Sequence, residues 1–236
     1  MRRLLLAAWL LTPTAAFSEP GQCNGWENLR ADTKIGLAKV TSGPRANFIK
    51  DATEENGCPN ATAACLRESF LVTGDEVITS ARQDDYVCAQ YVTAKGLATT
   101  GWLPAAALSA VPATPAVSTK DWDGTWTGNV EQIIRVSPGA AYQMVAIDGQ
   151  ATFGALDPER IKRGAVNSGS FSVRLRIRGD SAGFALDDNG ASKPWSDGTP
   201  DECRIAMRRL GAFLLVEDNG LCGGHNVSFT GNYRRN

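Results

Sequence analysis

Six cysteines, at positions 23, 58, 65, 88, 203 and 222, follow an export-type leader, and no other feature of this chain restricts its fold as much. Arg2 and Arg3 precede an apolar run at 4–11, and Ala16 and Ser18 put small residues where a signal peptidase reads, so the expected leader is residues 1–18. That run is shorter than the roughly 20 residues needed to cross a bilayer, and no later stretch reads as a membrane span. The expected location is periplasmic or secreted, where disulfides persist. Cys58 and Cys65 flank the turn-rich segment Pro-Asn-Ala-Thr-Ala-Ala, and Cys203 and Cys222 lie near the ends of two strand-like runs, 204–210 and 213–217. These are the expected pairs, which leaves Cys23 and Cys88. A zinc site built from Cys203, Cys222 and His225 has too few ligands for a closed tetrahedron and uses cysteines expected to be oxidised, so no metal and no cofactor is assigned.

Charge excludes further classes. With 24 Lys+Arg against 25 Asp+Glu and one His, the chain has no source for the counterion release that drives nucleic-acid binding. Nucleic acid is not an expected partner. A single His also leaves little imidazole for general-base chemistry.

Residues 109–120 contain two prolines, one charge and no aromatic side chain, which reads as a semi-extended linker. The expected domains are therefore 19–108 and 121–236, with independent folding of the first an expectation. Strand signals in the first are 70–79 and 86–92, separated by polar residues that end in Asp84-Asp85, which predicts a hairpin. The order Leu71-Val72-x-Gly74-Asp75-x-Val77, then a hairpin carrying Tyr86, then Gly101-Trp102-Leu103-Pro104 and a short Ala/Leu turn, resembles the bacterial SH3-like domain over residues 34–108. The resemblance implies a small, strongly bent β-barrel that serves as a binding module in envelope proteins. Trp102 and Tyr86 are then the ligand candidates, and burial of Trp102 in the barrel core is the alternative.

The second domain alternates with period two. Phe171, Val173, Leu175 and Ile177 interleave with Arg174, Arg176 and Arg178, and Val227, Phe229, Gly231 and Tyr233 interleave with polar residues. With 125–134, 141–147, 183–186, 204–210 and 213–217 this makes about seven strands, an antiparallel barrel or sandwich. Asp157-Pro158-Glu159 predicts one short helix, with Asp157 as its cap and Pro158 in the first turn. Gly124-Thr125-Trp126 together with Arg234 and Arg235 resembles the lipocalin and calycin barrels, in which a Trp at the closed end packs beneath a late-strand Arg. The predicted fold is all-β: an SH3-like small barrel followed by a second antiparallel barrel or sandwich with one short helix.

Gly179-Asp180-Ser181-Ala182-Gly183 matches the Gly-x-Ser-x-Gly nucleophile elbow, and His225 follows it. That motif requires a strand-to-helix turn, whereas the flanking residues read as strand, hairpin turn and return strand. Arg174, Arg176 and Arg178, extended by Arg204 and Arg208, form a row of planar donors on the outer face, suited to carboxylates or phosphates. Pairing with nearby acids is the alternative for that row. The expected function is a secreted, non-enzymatic binding protein of the bacterial envelope that recognises a cell-wall component or envelope protein through its SH3-like domain. The alternatives are an inhibitor or immunity-type protein against a wall-degrading enzyme and a hydrolase using Ser181. Oligomeric state is left open.

Overall fold

A computed structural model describes residues 21–23, 35–41, 43–112 and 118–236. The expected leader, 1–18, and the middle of the expected linker, 113–117, lie outside the described residues. The fold is all-β: two antiparallel sheets and one α-helix. Three disulfides join Cys58 to Cys65, Cys203 to Cys222 and Cys23 to Cys88. Among the described residues no helix is long and apolar enough to cross a membrane.

The first sheet contains β1 (Gly36–Val40), β2 (Ala46–Ile49), β3 (Leu66–Leu71), β4 (Glu76–Gln83), β5 (Tyr86–Val92), β6 (Ala98–Pro104) and β7 (Leu108–Val111). Their order is β3-β2-β6-β5-β4-β1-β7. The expected continuous strand at 70–79 is instead two strands. Asp75 breaks it: its carboxylate accepts from the Val72 N–H at 2.9 Å while its own N–H donates to the Val72 carbonyl at 3.0 Å. A short side chain that bonds nearby backbone competes with the ladder and makes a turn there. The β4–β5 hairpin forms at Asp84-Asp85, as the polar break predicts. β7 moves the end of this body to Val111, so the first residues of the expected linker belong to the sheet.

The second sheet contains β8 (Gly124–Asn129), β9 (Gln132–Pro138), β10 (Met144–Phe153), β11 (Asn167–Arg176), β12 (Ser181–Leu186), β13 (Ser192–Pro194), β14 (Cys203–Leu210), β15 (Phe213–Asp218) and β16 (Gly231–Arg235). The stretch 125–134, expected as one strand, turns at Val130-Glu131 into the β8–β9 hairpin. Helix α1 (Pro158–Lys162) follows β10, and the Asp157 carboxylate caps it by accepting from the Glu159 and Arg160 N–H groups. Val227 and Phe229 are buried but lie before β16 rather than in it. The Asp218 carboxylate holds that segment, accepting from the Phe229 N–H and the Ser228 and Thr230 hydroxyls.

Strand order in this sheet is β11-β10-β9-β8-β16-β15-β14-β12-β13. Because β16 pairs with β8, the chain's last strand joins its two meanders and the sheet curls into a nearly closed barrel. Trp122, Trp126, Phe184, Phe229 and Tyr233 fill the interior. Each large apolar side chain taken fully out of water contributes roughly 1.5–3 kcal/mol. The barrel stays open along one line. β11 and β12 are consecutive in the chain, yet they stand far apart in the strand order and share one bridge, Arg178–Ser181.

The two sheets are fused by a buried apolar cluster. Leu37, Ile78 and Val92 of the first pack with Leu210, Phe213 and Leu215 of the barrel. Arg234 donates to the Val92 carbonyl at 2.8 Å, and Asn232 to the Gln90 side chain at 2.6 Å. Two turns need glycine at this contact. Gly96 (φ +77°) and Gly211 (φ +61°) have left-handed backbones, and a Cβ there would lie 2.7 Å from Asn129 Cα and 2.9 Å from Leu37 Cδ2 respectively. The composition of the connector concealed this shared core, which the expectation of independent folding did not include.

A candidate binding cleft at the barrel seam

The seam begins at a two-residue turn, Gly179-Asp180, flanked by reciprocal Arg178–Ser181 backbone bonds of 2.9 and 3.1 Å. The sequence predicts the turn at Asp180-Ser181-Ala182; it sits earlier, and Ser181 opens β12. Three contacts hold it. The Trp122 indole donates to the Gly179 carbonyl at 3.0 Å, the Arg209 N–H to the Asp180 carbonyl at 2.8 Å, and the Arg209 guanidinium meets the Asp180 carboxylate at 3.4 Å. Beyond the turn the two strands diverge, and a cleft of about 890 Å³ opens between them. Deeper in, Phe171 crosses the seam to Phe184 and Phe229, with ring centroids 5.1 and 4.9 Å apart, so side chains plug the interior behind the cleft.

Arg174, Arg176, Arg178, Lys193 and Arg208 line this cleft, and among the described residues no Asp or Glu does. The alternation of β11 produces the row: Phe171, Val173 and Ile177 are buried, while the intervening arginines are exposed. Lys193 is neutralised by Glu202, 2.8 Å away. That bond and the Thr199 N–H keep the Glu202 carboxyl below its ordinary pKa. The four arginines differ. Among the described residues none of them has a carboxylate within ion-pair distance. Neighbouring arginines two residues apart on a strand sit roughly 7 Å from each other, where like charges repel by about 0.6 kcal/mol even in water. An anion in the cleft relieves that repulsion.

An apolar wall faces the charges. Leu175, Phe184, Met207 and the half-buried Trp195 line the same cleft. Trp195 lies on a short 3-10 turn over Gly183, and Arg204 fixes it by stacking 3.5 Å from the ring centroid and donating to the Trp195 carbonyl. Of the two arginines expected to extend the row, Arg208 lines the cleft and Arg204 supports its wall. Sequence reading missed Trp195 and Lys193. Both lie in a connection without periodicity, and only the Lys-Pro-Trp composition marked them.

The remaining candidates lie elsewhere or lack partners. Trp102 is 1% exposed, and its indole donates to the Gly21 carbonyl at 3.0 Å, so the core alternative describes it and the expected binding face does not. Tyr86 is half-buried against the same cluster, which also contains Cys23, Cys58, Cys65 and Cys88. Neither residue lines the seam cleft. Ser181 does line it, but among the described residues no His, Asp or Glu is present there as a base, and the surroundings are strand, turn and strand. His225 is exposed, and its carbonyl accepts from the Asn167 side chain. Arg235 lies 5.7 Å from the Trp126 ring centroid, a contact that fixes one end of the barrel. Among the described residues no group of three or more His, Cys, Asp or Glu could hold a metal ion. No family model, curated protein or solved structure matches this chain.

Proposed function

We propose that this protein is an exported, non-enzymatic binding protein of the bacterial envelope, periplasmic or secreted, whose ligand is anionic and docks in the seam cleft. The observation that carries this reading is four arginines converging on one cleft with no carboxylate partner among the described residues. Guanidinium groups there recognise carboxylates or phosphates by paired donors, and the Trp195 wall takes apolar parts of the ligand. The three disulfides and the expected leader support an oxidising compartment. A cell-wall component or an envelope protein with clustered acids fits this chemistry. Recognition then belongs to the barrel rather than to the SH3-like body.

Calorimetric titration of the mature protein with hexaglutamate and with an oligogalacturonate tests the proposal. Binding that weakens with salt, and weakens about 3- to 150-fold when Arg174, Arg176 and Arg178 are changed together to Gln, is the expected result, since three exposed contacts at about 0.2–1 kcal/mol each give that range. Equal affinity in the folded variant contradicts it. Recovery of the ligand uncleaved separates binding from hydrolysis at Ser181.

A further inference from the structure

The open seam has a second property besides its charge: it exposes backbone. Successive strand residues direct their N–H and C=O groups to alternate edges. On the seam edge of β11, the Ser168 carbonyl accepts from the Gly224 N–H at 3.0 Å, and Arg178 bonds to Ser181 in both directions. On the opposite edge, the Ile177 N–H donates to the Gln143 carbonyl. Alternation therefore aims the backbone groups of Ser170, Ser172, Arg174 and Arg176 into the seam. Among the described residues β11 is laddered only to β10, and the bridge at Arg178 is not continued. A smaller hollow of about 330 Å³, bordered by Ser170, Ser172, Leu186 and Gly190, marks the same edge farther along the seam.

We infer that the ligand is an extended acidic segment of another protein, which adds to this edge of β11 as an antiparallel strand. The inference rests on the proposed function above and specifies its ligand. Size agrees: one strand residue occupies roughly 160 Å³ at a rise of 3.3 Å, a strand spacing of 4.8 Å and a thickness of 10 Å, so the cleft of about 890 Å³ takes about five to six. Charge fixes the pattern. A strand paired with β11 places alternate side chains beside Arg174 and Arg176 on the outer face, where carboxylates complement them. The intervening side chains point toward Leu175, Phe184 and Met207 and are apolar. The partner sequence alternates acidic and apolar residues, and its main chain supplies the hydrogen bonds that the seam edge of β11 lacks.

The test uses the mature full chain and three probes. These are an alternating Glu/Val heptapeptide, a peptide of the same composition with its Glu and Val in separate blocks, and an oligogalacturonate. The alternating peptide is expected to bind at least tenfold more tightly than the block peptide. N-methylation of the amides on one edge should weaken it at least tenfold, and methylation on the other edge should leave it unchanged. Amide exchange at Ser170, Ser172, Arg174 and Arg176 should slow at least tenfold in the complex. Arg174→Gln combined with Arg176→Gln should abolish the preference, with folding confirmed by an unchanged melting temperature. If all three probes bind equally and lose affinity equally in that variant, strand addition is refuted while the anionic cleft stands. If none binds the wild type, both fall.

Discussion

Arg209 and Arg174 lie on either side of one barrel line and represent two uses of the same side chain. Arg209, Arg235 and Arg234 each have an assigned partner. Arg209 binds the Asp121 carbonyl at 2.8 Å and the Asp180 carboxylate, Arg235 covers Trp126, and Arg234 reaches the Val92 carbonyl. A few residues along the seam, Arg174, Arg176, Arg178 and Arg208 line a cleft that contains no acid among the described residues. Partnered arginines hold a fold together, whereas unpartnered ones grouped by a strand's alternation add nothing to it and remain available to a ligand.

The largest effect belongs to the apex. Trp122→Ala removes a fully buried indole and its bond to the Gly179 carbonyl, and should cost ~3–5 kcal/mol in denaturant unfolding. Next is the cystine beside the seam. The Cys203–Cys222 bond closes a 19-residue separation, and replacing both cysteines with Ala should cost about 3 kcal/mol by loop-closure entropy. The loop after Cys222 also covers β11 at Ser168, so amide exchange should show the free edge lengthening toward Asn167. Arg209→Ala follows at about 2 kcal/mol, because it removes partly buried, charge-assisted bonds.

Alkaline pH probes the closed side of the barrel. Burial, and then the Asp218 charge, push the Tyr233 phenol well above its ordinary value of 10.0. The unfolded chain loses this proton first, so the contribution is complete below about pH 10 and declines above it, by up to about 1.4 kcal/mol per pH unit. Tyr233→Phe should remove that part of the slope in pH-dependent unfolding. The smallest effect is expected at the seam itself. Changing Arg174, Arg176 and Arg178 together to Gln should alter stability by no more than about 0.5 kcal/mol, as for surface residues without partners. A loss of 2 kcal/mol there would show those arginines to be structural and would erase the contrast.

What could be read from the chain was local. The period-two alternation of 171–177, the Asp157-Pro158 helix start and the two short-range cystines each depend on neighbours within one or two elements, and each is present. The divided strand at 72–75 shows the limit, since the apolar residues on both sides outweigh the turn signal of Gly74-Asp75, where the Asp75 carboxylate takes the Val72 N–H. The segment 227–230 alternates like a strand and buries its apolar half, yet a single carboxylate from β15 replaces the ladder. The arginine row was legible because alternation displays it. Its lack of partners was not, because that depends on which acids the barrel brings near. The cleft itself arises from a ladder that stops after one bridge, a property of barrel closure and of no single residue.

The central claim is that recognition occurs at the seam, and chemical-shift mapping addresses it directly. Isotope-labelled mature protein would be titrated with hexaglutamate. The account predicts that the largest shifts fall on Arg174, Arg176, Arg178 and Arg208 and on the Trp195 indole, with the first sheet unmoved. Shifts centred on Tyr86 and the β4–β5 hairpin, with the seam unchanged, would contradict it and return recognition to the first sheet.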